Sequence, residues 1–174
     1  MPAAALLAGY ENRVVVGMAD FAVSNSPNLI LTTYSLGSCL GIAVFDPVAR
    51  AGGLLHTMLP DSNLQAEKAL LQPGMFVDTG FHALLQAMAE LDAQPERLKI
   101  YVVGGAQIMD STGFFNIGKK NHQALTDILT RQGLRVHAEQ VGGMVNRTMH
   151  LNIATGGVSL KVSGHAKDTP LCKS

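Results

Sequence analysis

Two side chains in this sequence have the chemistry of a nucleophile and its base. They are Cys39, in Leu36-Gly37-Ser38-Cys39-Leu40, and His56, in Leu54-Leu55-His56-Thr57-Met58. A thiol with a pKa of about 8.5 is mostly protonated at neutral pH, and an adjacent imidazole can take its proton to give the attacking thiolate. Between the two lie apolar runs over 40–45 and 53–58, split by Asp46-Pro47-Val48-Ala49. Asp then Pro marks positions i and i+1 of a type I turn, so these runs are expected to form a hairpin. With Pro47 and Val48 as the central turn residues, Asp46 opposes Ala49 and Cys39 opposes His56, with Cβ atoms about 4.5–5.5 Å apart. A longer loop would slide that register by one or two residues.

The base needs an acceptor on its second ring nitrogen to fix its tautomer. Thr33, in the strand that feeds Gly37-Ser38-Cys39, is the candidate. Gly37 permits a sharp turn into the nucleophile, and N–H groups exposed there, with Ser38, suit an oxyanion. An activated Cys39 would also alkylate at lower pH than an ordinary thiol such as Cys172. Plainer readings stand beside these. A lone cysteine in an apolar strand is also a small buried hydrophobe, His56 is also a core histidine, and Thr33 an ordinary strand threonine. Only the cross-strand coincidence sets catalysis beside them.

The positioning elements read as a mixture. Residues 14–18 and 29–33 are β segments around the turn-rich Ser24-Asn25-Ser26-Pro27-Asn28. A helix is expected over about 75–91, because Val77, Phe81, Leu84, Leu85, Met88 and Leu91 recur with helical period. Residues 98–103 form a strand that runs into Gly104-Gly105-Ala106. That cluster either admits a substrate backbone or makes a tight strand exit; it lacks the GxGxxG pattern of a dinucleotide site. A second helix spans 117–132, with Asn116 as N-cap, Leu125, Ile128 and Leu129 inward, and Gly133 as its stop. Strands over 134–138, 146–153 and 158–162 follow, the last two joined by Ala154-Thr155-Gly156-Gly157. About seven strands and two helices, with strands mostly consecutive, favour α+β over a doubly wound sheet.

At 174 residues, the chain is the length of one domain. The expectation is a single domain over 1–174, with 1–11 and 165–174 as frayed tails. Apolar residues make up 47% and charged residues 15%, which excludes a disordered chain. Lys+Arg and Asp+Glu are equal at 13, so bulk charge points to neither nucleic acid nor an anionic membrane. The two cysteines and scattered histidines hold no zinc spacing, so no metal is expected. The apolar opening, residues 1–8, lacks a basic start and is too short for a signal or a span. These features predict a cytoplasmic protein with reduced thiols and no membrane insertion.

Thr33-Tyr34-Ser35-Leu36-Gly37-Ser38-Cys39-Leu40, Asp46-Pro47 and His56-Thr57-Met58-Leu59-Pro60-Asp61-Ser62 together resemble the CheD family of chemoreceptor glutamine deamidases. The likeness continues through Gly104-Gly105-Ala106, Asn116-Ile117-Gly118, Lys120-Asn121 and Val141-Gly142-Gly143. Val103, Lys120 and Asn146-Arg147 depart from the usual pattern, and none is in the proposed triad. The resemblance implies a single α+β sandwich of mostly antiparallel or mixed sheet with two main helices, similar to the catalytic core of cytotoxic necrotizing factor toxins. It implies hydrolysis of receptor glutamine amides to glutamate, with accessory hydrolysis of glutamyl methyl esters in some members. The family's cysteine, histidine and threonine fall on Cys39, His56 and Thr33, with Thr32 as fallback, although strand alternation turns Thr32 to the other face. Gly37, Ser38, Gly104 and Gly105 are the candidate oxyanion and substrate loop. No cofactor is implied. Expected partners are methyl-accepting chemotaxis receptors as substrate and, where present, a CheC-type phosphatase. A non-catalytic adaptor that binds the same partners is the alternative, as is the same chemistry on another protein.

Overall fold

The computed structural model describes residues 12–108 and 112–172. In chain order it contains β1 (Asn12–Val15), β2 (Asp20–Ser24), β3 (Leu29–Leu36), β4 (Leu40–Asp46), β5 (Ala51–Thr57), α1 (Ala66–Leu71) and α2 (Val77–Ala89). There follow β6 (Lys99–Gly104), α3 (Ile117–Gln132), β7 (Val136–Val141), β8 (Arg147–Asn152), β9 (Val158–Val162) and β10 (Thr169–Pro170). The strands form two sheets, ordered β1-β3-β8-β9-β10 and β2-β5-β4-β6-β7. Pairing is antiparallel except for β1 with β3 and β6 with β7. The expected α+β arrangement of mostly antiparallel sheet with two main helices is what the chain adopts.

Three layers explain the sequence pattern. The second sheet is covered on both faces, by the first sheet and by α2 and α3, so β4 and β5 are buried along their whole length. A strand covered on both sides reads as a continuous apolar run. Leu40, Ile42 and Val44 point to the helices, among Phe81, Leu84, Leu125 and Leu129. Ala43 and Phe45 point between the sheets, among Leu31, Leu54, Met149 and Leu151. Phe81 is fully buried, a burial worth roughly 1.5–3 kcal/mol.

Several expectations need adjusting. The α3 limits agree, and Gly133 ends the helix at φ 68°. Asn116, however, sits at the N-cap position in a left-handed conformation without capping through its side chain, which accepts from Gln107 Nε2. Strand β2 lies between the expected β segment at 14–18 and the turn that starts at Ser24, in a stretch assigned no element; it pairs antiparallel with β5. Residues 169–172 do not fray: β10 pairs with β9, Leu171 N–H donates to Val158 O at 2.9 Å, and Leu171 and Cys172 pack between the sheets. The expected N-terminal tail, 1–11, lies outside the described residues.

The hairpin register also differs. Asp46 opposes Ala51 around a four-residue loop, because Arg50 takes a left-handed φ of 54°. Asp46 accepts from the N–H groups of Val48 and Ala49 in that loop and from Gln94, and pairs with Arg97 at 2.7 Å. Burial alone would push its pKa up, but Arg97 and the N–H groups of Gln94, Ala49 and Val48 outweigh it and hold it at about 2. The register moves by two residues, so every side chain keeps its face.

Candidate active site

Gly41, not Cys39, lies directly opposite His56. Because the shift is two, Cys39 and His56 still share the inter-sheet face, as diagonal neighbours. Thr33 comes from β3 in the other sheet. Leu31 and Thr33 alternate toward the space between the sheets, while Thr32 faces away and bonds His150 Nδ1 at 2.9 Å. The site is therefore assembled by two sheets packing face to face.

The Thr33 hydroxyl has one proton and donates it to the Val16 carbonyl at 2.7 Å. Its oxygen lies 2.7 Å from His56 Nδ1. Since that proton is already placed, the oxygen must accept, and Nδ1 must carry the imidazole hydrogen. Nε2 is then a bare lone pair. It is buried and, among the described residues, has no hydrogen-bond partner, an arrangement that costs about 1–3 kcal/mol when nothing repays it. The thiol makes no hydrogen bond to Nε2; catalytic bonds of this kind are often long without substrate and tighten on binding. Burial lowers the His56 pKa to about 4. Burial also pushes the Cys39 thiol up, against the opposing pull of its own backbone N–H. Both shifts favour the neutral pair over an ion pair. Alkylation at unusually low pH, expected from the sequence, is therefore not what this environment favours.

Cys39 opens into a cavity of about 420 Å³ lined also by Ser35, Gly37, Ser38, Ala106, Ile108, Phe115 and Asn146. A larger, shallower hollow of about 720 Å³ shares Ser35 and Asn146 with it and carries Arg13, Lys161 and Asp168; the chemistry-bearing thiol is in the smaller one. A β-bulge between Thr33 and Leu36 turns the chain, with Ser35 left-handed at φ 58°. The sharp turn therefore belongs to Ser35. Gly37 serves a different need, since an added Cβ would lie 3.2 Å from Asn146 Oδ1.

Of the four expected loop residues, three have other tasks. The Gly37 N–H donates to Ser35 O at 3.0 Å, and the Gly105 N–H to Cys39 O at 2.9 Å. Gly104, at φ +116°, lies so close that an added Cβ would stand 2.2 Å from Cys39 O. Neither Gly104 nor Gly105 lines the Cys39 cavity; the backbone they admit is that of the Cys39 loop itself. Among the described residues, the Ser38 and Cys39 N–H groups have no backbone partner, and both residues line the cavity.

Sequence reasoning missed Val16, Phe115 and Asn121. Val16 acts through its backbone carbonyl, which no residue type reveals. Phe115 is 62% exposed beside the cavity, next to Phe114 at 80%, and two exposed aromatics side by side were the available signal. Asn121 is fully buried, and its amide donates to Ser38 O at 3.0 Å and Met58 O at 2.9 Å. A polar residue on the inward stripe of Gly118, Leu125 and Ile128 was the signal there.

Comparison with known proteins agrees with the resemblance. The chain is 46% identical over 151 residues to a Syntrophus aciditrophicus protein named probable chemoreceptor glutamine deamidase CheD 1, covering 87% of this chain and 94% of that one. It is 40% identical to proteins named probable chemoreceptor glutamine deamidase CheD from Solibacter usitatus, covering 90% of this chain and 92% of that one, and Desulforamulus reducens, covering 91% and 95%. Among solved structures it is similar to a Neisseria meningitidis protein at 13% identity and TM-score 0.42, covering 76% of this chain and 62% of that one, too loosely to bear on function. The profile of the family described as CheD chemotactic sensory transduction matches residues 58–162, which hold Gly104, Gly105 and Asn121. With that match over more than half of its length, and relatives aligned along nearly all of theirs, the chain belongs to the CheD family.

Proposed function

We propose that this chain hydrolyses glutamine side-chain amides on chemoreceptors, with Cys39 as nucleophile, His56 as proton carrier and Thr33 as its orienting residue. The observation that carries the reading is the hydrogen-bonded run from the Val16 carbonyl through Thr33 to His56, which leaves the buried Nε2 lone pair unpartnered. The names of the relatives supply the substrate class.

As Cys39 Sγ bonds to the carboxamide carbon, its proton passes to His56 Nε2 and the carbonyl π electrons move to oxygen. That oxyanion is received by the N–H groups of Ser38 and Cys39. On collapse the C–N bond breaks, and the nitrogen takes the proton from Nε2 and leaves as ammonia. Water then gives a proton to Nε2 and attacks the thioester; the C–S bond breaks, the sulfur recovers the proton, and glutamate is released. A methyl ester would follow the same course with methanol as leaving group. Every step uses this chain's own groups. Phe115 beside the cavity, with Phe114 packed against it, suits docking of a protein segment, and a CheC-type phosphatase would be a second partner, an idea that rests on the resemblance alone. The reading places the enzyme in the cytoplasm; among the described residues no helix is long and apolar enough to cross a membrane.

Mass spectrometry of receptors incubated with the protein tests this. Conversion of glutamine to glutamate by wild type, absent with Cys39→Ala while receptor binding persists, is expected. Conversion by neither protein would leave the adaptor reading or the same chemistry on another protein.

A further inference from the structure

The ladder joining β4 and β5 ends at Leu40 opposite Thr57. Continued by one step, it would pair Cys39 with Met58. It does not continue: the Met58 and Leu59 N–H groups both donate to Met75 O, while the Cys39 carbonyl extends the ladder with β6 by accepting from Gly105. Beyond Leu40 and Thr57 the two strand ends next to Cys39 and His56 are no longer paired with each other. At this gap Asn121 enters from α3. One nitrogen, Nδ2, donates to the carbonyl before Cys39 and to the carbonyl two residues after His56, at 3.0 and 2.9 Å. Both partners are carbonyl oxygens, which only accept, so the amide orientation follows from chemistry. Among the described residues, Asn121 Oδ1 is buried without a partner. A side chain chosen for stability alone would not leave that acceptor orphaned. A hydroxyl has only one proton to give two carbonyls, and a lysine or arginine would bury a charge.

We propose that Asn121 is a positioning residue that sets the distance between Cys39 and His56 by pinning both strand ends to α3. The inference rests on the deamidase reading, yet one of its tests does not. Misplacement of a reacting group by about 1 Å can cost about 100-fold in rate. Asn121→Leu, which keeps the γ-branched shape and removes both donors, is therefore expected to lower kcat by about 10- to 100-fold with little change in KM. It should also change the rate of Cys39 alkylation by iodoacetamide in the folded protein, a readout that requires no receptor. Arg97→Met is the control: it loses the ion pair to Asp46 at the hairpin loop and should lower thermal stability with kcat and alkylation unchanged. Asn121→Ser, which retains one donor, should fall between Asn121→Leu and wild type.

Loss of stability in the Asn121 variants with kcat and Cys39 alkylation at wild-type values would overturn the proposal. So would failure of both variants to fold, which would make Asn121 a core residue and nothing more. If wild type releases no ammonia, the deamidase reading fails, and altered alkylation in Asn121→Leu would still support the clamp.

Discussion

Thr33 offers His56 only a lone pair, because the Val16 carbonyl already holds its proton. That lone pair selects the tautomer in which Nε2 can accept. Thr33→Val keeps the shape, strands the Nδ1–H and frees the ring to adopt the wrong tautomer. Ammonia release should fall roughly 100-fold, the lower end of what a positioned base contributes, and Thr33→Ser should recover most of it. Burial gives His56 a second signature. Unfolded, its ring takes a proton near 6.5; folded, only near 4. Between those values the unfolded chain binds more protons, so this contribution to stability is complete above 6.5 and is lost as pH falls toward 4. The full loss is on the order of 3 kcal/mol. Denaturant melts at pH 7 and pH 4.5 should show it in wild type and show less of it in His56→Gln. The acid limb of kcat/KM should lie near 4 rather than 6.5.

At the scale of elements, the close approach of β6 to the nucleophile loop is the most sensitive feature. Gly104→Ala would set a methyl 2.2 Å from Cys39 O at a φ of +116°, and both backbone and contact are forbidden to it. This variant should lose at least about 10-fold in activity and melt at lower temperature, as activity assays and thermal unfolding would report. Here the limits of the sequence are physical. Helix α3 was legible because an apolar stripe and Gly133 mark its face and end. Thr33 was legible over Thr32 because strand parity decides faces. The hairpin register was not, because Arg50 is left-handed without being glycine and nothing in Asp46-Pro47-Val48-Ala49 announces the longer loop. Strand β2 was hidden because it is an edge strand whose five residues include Asp20 and Ser24. The role of Gly104 and Gly105 was open because a glycine shows that something comes close, and only the fold shows what.

Across the whole molecule, the second sheet is held between a sheet and a helical layer, and the last residues seal one edge of the first sheet. Removal of residues 169–174 would uncover β9 and the pocket filled by Leu171 and Cys172. Thermal unfolding should then shift down by several degrees, since about 1 kcal/mol shifts a domain of this size by about 2–4 °C. Turnover at low temperature should persist. The candidate site belongs to this scale too, because its orienting residue comes from one sheet and its nucleophile and base from the other. Rapid quenching of the protein with receptor, followed by peptide mapping, reads the chemistry most directly. The account predicts a glutamyl thioester on Cys39, none on Cys172, and no ammonia from Cys39→Ala. Ammonia released by Cys39→Ala at the wild-type rate would contradict it.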